Sequence, residues 1–386
     1  MRTLVSVASG PRRQRPCRGS ARSLWGRTSR AVLAPRCWCE RGTRFATRGE
    51  AVAAAAADTK EQAESAAACI EVDYQPLPVV LDVREAIQPG APAVHDASED
   101  PKLPNVCDVA EVKRGDVQAG FAASDRIFEE TYETPWVHQG FLEPHVSLAS
   151  VDPGTGRTRV WTSTQAQFNQ REEIADILGL AMSQLRIIGL PVGGAFGGKN
   201  AICVEPICAA LARRSGRPVK MVVSRRDDFY ATRVCGGAVL ELKTGVKRDG
   251  TILALQARLL FDTGAHPGAQ HGTGAVLVQG PYRIPNLAVK AYAIYTNKPP
   301  AGSRRALTSP HVHFAIDSQM DIMAEALSQD LKASADKIEI SGGRVSVAGR
   351  NRRSYDRLSG RHRWPGRAVG PAFWDRGCGA GGRSGG

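Results

Sequence analysis

The sequence lacks any run of about 18 uncharged apolar residues, the length of a membrane-spanning helix, so we expect no such helix. It also lacks the apolar core of about 7–15 residues that marks a secretory signal. This second absence predicts a reducing, cytoplasmic location in which cysteines remain free thiols. The nine cysteines include no iron–sulfur spacing such as C-x4-C-x2-C, and no H-E-x-x-H occurs. We therefore predict no metal-ligating residues in this chain.

Lysine is absent from both ends of the chain, although the net charge is +13. Residues 1–50 contain 12 Arg and two acids, and residues 341–386 contain 10 Arg and two acids, so the middle is mildly acidic. The ends have no helical or strand periodicity and resemble GC-rich DNA read out of frame. We therefore predict that residues 1–46 and 331–386 are non-native or disordered. A transit peptide and a nucleic-acid-binding function of the Arg-rich ends are the alternatives.

Between these ends, hydrophobic periodicity predicts a mixture of strands and helices. Predicted strands are residues 50–57, 69–74, 126–134, 158–162, 185–190, 219–223, 238–246 and 252–261. Predicted helices are residues 59–68, 82–87, 204–214 and 313–326, with one more beginning near Phe168. The turn residues between strands 238–246 and 252–261 indicate a hairpin. Several prolines make residues 91–111 a predicted linker. This order of elements favours an α+β fold over a doubly wound sheet.

A glycine-rich loop follows the predicted strand 185–190, and Gly193, Gly194, Gly197 and Gly198 surround Phe196 in it. Such a loop leaves backbone N–H groups free and lets an anion approach closely.

One interpretation of this loop is a nucleotide-binding P-loop, G-x-x-x-x-G-K-[ST], over Gly193–Lys199. Gly193, Gly198 and Lys199 fit that pattern, but Asn200 replaces the hydroxyl residue that would ligate Mg²⁺.

Nine short motifs, taken together and in order, resemble the molybdenum-binding subunit of the xanthine dehydrogenase/aldehyde oxidase family. They are Glu71–Pro78, His138–His145, Trp161–Gln165, Gly193–Lys199, Gly216–Lys220, Ser224–Phe229, Asp262–Ala265, Gly280–Asn286 and Tyr295–Gly302. The resemblance covers roughly residues 47–330. It implies a partial α/β hammerhead domain at residues 47–90 and the first half of a molybdenum cofactor-binding domain at residues 112–330.

The resemblance also implies a cofactor and a reaction. The cofactor is molybdopterin, in its cytosine dinucleotide form, and the reaction is the hydroxylation of an aldehyde or an N-heterocycle. A hydroxide on molybdenum attacks the substrate carbon, and hydride passes to a sulfido ligand. Iron–sulfur clusters and FAD are implied only on partner subunits or on segments outside this sequence.

Five residues match family positions beside the cofactor or the substrate. Gln165 matches a glutamine that donates a hydrogen bond to an oxygen on molybdenum. Gly194, Phe196 and Gly197 match the loop next to the metal. Arg305 matches an arginine that stabilises charge on the substrate and is the candidate catalytic residue. The sequence departs from the family here, because Ser303–Thr308 replaces Ala-Phe-Arg-Gly-Phe-Gly and loses both glycines.

Two further residues of the matched motifs, Glu143 and His145, are assigned a structural role beside the cofactor rather than acid–base chemistry. Asn200 stands where purine-oxidising relatives have a glutamate, which weakens the case for xanthine as substrate.

The family comparison also implies that the second half of the cofactor domain, with the catalytic base, is absent. We therefore expect an internal fragment that binds molybdopterin poorly and is inactive alone. Its expected partners are an iron–sulfur subunit, an FAD subunit and a small-molecule substrate, with no membrane and no nucleic acid.

Overall fold

The computed structural model describes residues 3–8, 32–33, 45–72, 74–95, 103–268, 270–331, 338–341 and 344–347. For 3–8, 32–33, 328–331, 338–341 and 344–347 only the secondary structure and strand pairing are described. Within these ranges, no helix combines the length and the apolar character needed to cross a membrane.

Fourteen strands are described. They are β1 (Thr3–Ala8), β2 (Val32–Leu33), β3 (Ala53–Ala57), β4 (Val106–Arg114), β5 (Arg126–Thr134), β6 (Val146–Val151), β7 (Thr158–Thr162), β8 (Leu185–Gly189), β9 (Val219–Val222), β10 (Ala238–Val246), β11 (Ile252–Gly264), β12 (Asn286–Tyr295), β13 (Ile338–Ser341) and β14 (Arg344–Val347). They form a seven-stranded sheet in the order β2-β3-β1-β9-β6-β7-β8, a five-stranded sheet in the order β4-β12-β11-β10-β5, and the hairpin β13-β14.

Eight α-helices accompany the strands. They are α1 (Lys60–Ala68), α2 (Val83–Ala86), α3 (Val117–Ala122), α4 (Gln167–Leu178), α5 (Glu205–Ser215), α6 (Arg225–Ala231), α7 (His271–Leu277) and α8 (Ser309–Leu331). Both α4 and α5 end at a glycine in the left-handed conformation, Gly179 and Gly216. The mixed α+β architecture predicted from the sequence is confirmed.

The seven-stranded sheet is covered on one face by α4 and α5. Val160 and Leu185 of the sheet form a core with Ile174 of α4 and Leu211 of α5. β7 and β8 are adjacent and parallel. Their carboxyl ends therefore lie at the same edge of the sheet, where the loops that follow them meet.

The five-stranded sheet packs against α8. Leu240 and Leu259 of the predicted hairpin lie in one buried core with Val312 and Met320 of that helix. β4 and β5 are close in sequence but lie at opposite edges, because β10, β11 and β12 fill the space between them. The chain makes β6–β9 of the other sheet before it returns to complete this one.

A third core lies on the other face of the five-stranded sheet. Val83 and Ile87, at α2, pack against Leu260 and Ile294.

The strand predicted at residues 69–74 is wrong for the described part of that segment, which is irregular. It pairs with no described strand, and Pro76 and Pro78 follow it, so backbone pairing does not develop.

The ends differ in part from the expectation of disorder. Thr3–Ala8 pairs with Ala53–Ala57 and Val219–Val222, and Ile338–Ser341 pairs with Arg344–Val347. Ile338–Ser341 and Arg344–Val347 each alternate apolar and polar residues, and Thr3–Ala8 is mostly apolar, but all three are too short to stand out from their surroundings. Most of the Arg-rich ends, on which the nucleic-acid alternative depends, lies outside the described residues.

The predicted linker 91–111 contains the first six of the nine residues of β4, which belongs to the five-stranded sheet. The division into domains at residues 47–90 and 112–330 stays a prediction.

Candidate functional site

The glycine-rich loop joins β8 to α5 at the edge where β7 also ends. Three residues in it have positive φ: Gly194 at 93°, Phe196 at 52° and Gly197 at 97°. Phe196 is half exposed at the surface of the loop. Positive φ at Gly194 and Gly197 explains why glycine is needed at these two positions.

Close packing explains two of the glycines further. A β-carbon at Gly193 would lie 2.7 Å from the Glu143 side chain. A β-carbon at Gly197 would lie 2.7 Å from the carbonyl oxygen of Ser303. The loop therefore lies tightly between the segments of Glu143 and Ser303. The absence of a side chain at these two glycines allows this close packing.

Gln165 follows β7 and is fixed against this loop. Its side-chain oxygen accepts hydrogen bonds from the backbone N–H of Gly197 at 3.1 Å and of Lys199 at 3.4 Å. Its own backbone N–H donates to the Lys199 carbonyl at 3.0 Å. With the oxygen held in this way, the two N–H donors of the amide remain available to a ligand.

The loop presents further donors beside Gln165. Within the described chain, the backbone N–H groups of Gly194, Ala195 and Phe196 donate to no acceptor. We call these three N–H groups, together with the Gln165 amide, the donor surface. Such a surface fits a ligand rich in hydrogen-bond acceptors, including an oxo or sulfur ligand of a bound metal centre. The described residues include no group of three or more His, Cys, Asp or Glu able to hold a metal ion.

Arg305 lies next to the same loop. Its backbone N–H donates to the Phe196 carbonyl at 3.0 Å, and its side chain is exposed. The structure thus brings together all five candidate site residues: Gln165, Gly194, Phe196, Gly197 and Arg305. No ion pair of the Arg305 guanidinium is present among the described residues. It is available to a negative charge beside the loop.

The segment after Arg305 is strained. Ala306 and Leu307 have φ of 65° and 52°, and Ala306 occupies the place of a family glycine. The backbone therefore keeps the left-handed conformation that glycine would adopt without cost, although the glycine is missing.

We expect Ala306→Gly to raise the free energy of unfolding by about 0.5–1 kcal/mol. The change relieves about 1–2 kcal/mol of left-handed strain, and the greater freedom of glycine in the unfolded chain offsets part of that gain. Urea unfolding followed by circular dichroism measures it. Ala123→Gly is the matched control, because Ala123 has φ of −88° and should lose stability. Equal effects at both positions would contradict the strain argument.

Lys199 is buried beneath the loop, with 1% of its side chain exposed. Its ammonium lies 2.7 Å from Glu143 Oε2, which also accepts the Gly193 N–H at 2.7 Å. Partial burial raises the pKa of Glu143, but the hydrogen bonds from Lys199 and Gly193 outweigh it and hold that pKa below its usual value. The P-loop interpretation is therefore wrong, because the Lys199 ammonium is turned into the protein and paired.

His145 belongs to a second buried ionic group. One ring nitrogen lies 3.0 Å from Asp228 Oδ1 and the other 3.3 Å from the Gly198 carbonyl oxygen. Contacts at both ring nitrogens fix the orientation of the imidazole between α6 and the glycine loop. Arg225 donates to the other oxygen of Asp228 at 3.0 Å. This geometry supports the structural role predicted for His145.

Phe141, Arg225 and Asp228 were not predicted as site residues. The Phe141 ring is 2% exposed, and the cations of Lys199 and Arg225 lie 5.0 Å and 5.6 Å from its centre. All three belong to motifs already recognised in the sequence, so a signal was present. The sequence did not reveal that Lys199 and Arg225, which belong to two motifs distant in sequence, both lie over the Phe141 ring.

Comparison with known proteins identifies the family of this chain. Residues 98–333 match the family described as "Molybdopterin cofactor-binding domain". A "Probable xanthine dehydrogenase" subunit of Bacillus subtilis is 33% identical over 295 residues, covering 76% of this chain and 38% of that protein. The "Nicotinate dehydrogenase large molybdopterin subunit" of Eubacterium barkeri is 33% identical, covering 73% of this chain and 65% of that one.

Solved structures show the same likeness. The CO dehydrogenase of Oligotropha carboxidovorans superposes with a TM-score of 0.67 at 26% identity, covering 75% of this chain and 38% of that one. The aldehyde oxidoreductase of Desulfovibrio gigas gives a TM-score of 0.65 at 25% identity, covering 75% and 31%. This chain thus spans less than two thirds of the length of each of these four proteins.

Proposed function

Since this chain belongs to the molybdopterin-binding xanthine dehydrogenase family, we propose that it forms one wall of the cofactor site of a molybdenum hydroxylase. The observation that carries the proposal is the convergence of Gln165, the glycine loop and the Arg305 segment. Two hydrogen bonds join them, from the Gly197 N–H to Gln165 and from the Arg305 N–H to Phe196. The result is one donor surface beside one exposed guanidinium.

The cofactor proposed for this surface is molybdopterin, in its cytosine dinucleotide form. When bound, it supplies a molybdenum centre for the oxidative hydroxylation of an aldehyde or an N-heterocycle. Gln165 donates its amide N–H groups to an acceptor on that centre, and the loop from Gly194 to Gly197 adds backbone donors and excludes water. Arg305 stabilises negative charge that develops on the substrate. Glu143 and Lys199 hold the loop from below.

The donor surface forms only one side of a site, so we propose that a complementary part completes it and supplies the general base. Partners with iron–sulfur clusters and FAD, which would accept the electrons, are part of the same proposal. The cytoplasmic location stays a prediction.

We expect the full chain, purified from a host that makes molybdopterin, to contain far less than one molybdenum per chain. It should show no dye-linked aldehyde oxidation. When residues 98–333 replace the matching region of the Bacillus subtilis relative, we expect molybdenum to be retained. Elemental analysis measures the metal, and release of the oxidised pterin measures the cofactor by fluorescence.

Within that chimera, Gln165→Leu should lower molybdenum or pterin content, or kcat, by about 10-fold, the size of one lost charge-assisted hydrogen bond. Gln118→Leu, at an exposed position on α3, is the control and should have no effect. Stoichiometric molybdenum with turnover in the chain alone would refute the need for a complementary part. A chimera without molybdenum would refute the assignment of the donor surface.

A further inference from the structure

β8 is the last strand of the seven-stranded sheet, and its outer edge pairs with no strand in the part of the chain that the structure describes. Two outer-edge contacts of its backbone are described, both at its first residue: the Arg171 Nε donates to the Leu185 carbonyl at 2.9 Å, and the Leu185 N–H donates to the Met182 carbonyl. Exposed strand edges offer backbone donors and acceptors to any extended chain that approaches. This edge is therefore able to accept a further strand.

A groove of about 400 Å³ runs along this edge. Four arginines line it: Arg157, Arg159, Arg171 and Arg186. Phe168, at the first turn of α4, lines it as well and is 74% exposed. The groove thus combines strong positive charge with one exposed aromatic ring.

The arginines have few negative partners. Arg159 and Arg186 are register partners on the adjacent strands β7 and β8, where like charges repel. Arg159 lies 3.6 Å from Asp152, and both side chains are partly exposed. Arg157 and Arg186 form no ion pair within the described ranges. A bound anion would remove this repulsion.

The two sides of β8 differ in character. Leu185 and Ile187 face the core under α4, so Arg186 projects from the opposite side of the strand. A strand added to this edge would present alternate side chains to the arginines and to Phe168. Acidic residues suit the first set and apolar residues the second.

We propose that the outer edge of β8 is a docking site for an extended segment of a partner chain in which acidic and apolar residues alternate. The unpaired edge provides backbone hydrogen bonds, and the arginines provide charge-assisted bonds to carboxylates. A free anion would satisfy the arginines but not the edge. This proposal is independent of cofactor binding and extends the set of partners beyond those that carry redox groups.

The test measures fluorescence anisotropy of a labelled peptide, acetyl-Glu-Val-Glu-Val-Glu-Val-Glu-amide, titrated with the full chain. We expect saturable binding that weakens at least about 10-fold in Arg159→Gln/Arg186→Gln, since each charge-assisted bond contributes about that factor. Arg248→Gln/Arg283→Gln, near the other sheet, is the matched control and should bind as the unmodified chain does. Circular dichroism checks that both variants fold.

A second peptide separates strand addition from charge attraction. It has the same sequence with N-methyl groups on its five central amides, so its charge is unchanged but those five amides can no longer donate hydrogen bonds. We expect at least about 10-fold weaker binding to the unmodified chain. Equal binding of the two peptides, no binding of either, or tighter binding of a uridine oligonucleotide of matched charge would each overturn the proposal.

Discussion

Replacing Gly197 with alanine is expected to lower the free energy of unfolding by about 3 kcal/mol and to detach the glycine loop from the Arg305 segment. The residue has φ of 97°, where an L side chain is strained by about 1–2 kcal/mol. The new β-carbon would also lie 2.7 Å from the Ser303 carbonyl oxygen and 2.9 Å from its carbon. Backbone atoms cannot move aside cheaply, so overpacking adds about 1–3 kcal/mol.

Gly179→Ala separates these two contributions. Gly179 has φ of 62° at the end of α4, and no atom lies within 4 Å of the β-carbon that alanine would add. Its replacement should therefore cost only the left-handed strain, about 1 kcal/mol. Denaturant unfolding of both variants gives the difference directly. If Gly197→Ala and Gly179→Ala lower the free energy of unfolding equally, Gly197 does not pack against Ser303 as described.

Removing the Glu143 carboxylate is expected to lower the free energy of unfolding more than removing the Lys199 ammonium. Glu143→Leu leaves the buried Lys199 ammonium without a counter-charge, which lowers the free energy of unfolding by about 3 kcal/mol. Lys199→Met leaves a carboxylate that is 31% exposed and still bonded to Gly193, so we expect a loss of about 1 kcal/mol. The double variant should be more stable than Glu143→Leu alone. Denaturant unfolding of all three variants tests this order.

The exposed pair Lys60–Glu64 is the control, with side chains 64% and 54% exposed. Glu64→Leu should change stability by at most about 0.5 kcal/mol. A loss in Glu64→Leu as large as that in Glu143→Leu would show that burial of the lysine is not what matters.

The buried Glu143–Lys199 pair also predicts that stability depends on pH. The pKa of Glu143 is lower in the folded chain than its ordinary value, so its contribution to stability is present above the unfolded pKa of about 4.3. That contribution is lost as the pH falls through the lower folded pKa. In Lys199→Met the decline on the acid side should be shallower. Stability curves between about pH 6 and pH 3 reveal the difference.

Local patterns were sufficient for elements that are stabilised by their own sequence. β5, β7 and the β10–β11 hairpin lie where alternation and turn residues predicted them. α8 begins four residues earlier than predicted, at Ser309, where Pro310 at the first turn was a usable signal. β12 was missed although Leu287, Val289 and Ala291 alternate, because the intervening Ala288 and Tyr292 are also apolar and weaken the period of two.

The site was predictable in its residue types but not in its assembly. Gln165 and the glycine loop meet because β7 and β8 are parallel neighbours, and no local pattern specifies that pairing. The contact between Arg305 and Phe196 joins segments more than 100 residues apart. Lys199 shows the same limit, since a lysine after two glycines is equally compatible with binding an anion and with a buried ion pair.

The placement of β4 and β5 at opposite edges of one sheet has a consequence for biosynthesis. On the ribosome these two strands emerge early, yet neither is the neighbour of the other. They must wait, unpaired, until β10, β11 and β12 have been translated and can insert between them. Such delayed, non-local pairing makes folding slow and leaves aggregation-prone strands exposed in the nascent chain. Chaperone dependence during translation is the expected cost of this topology.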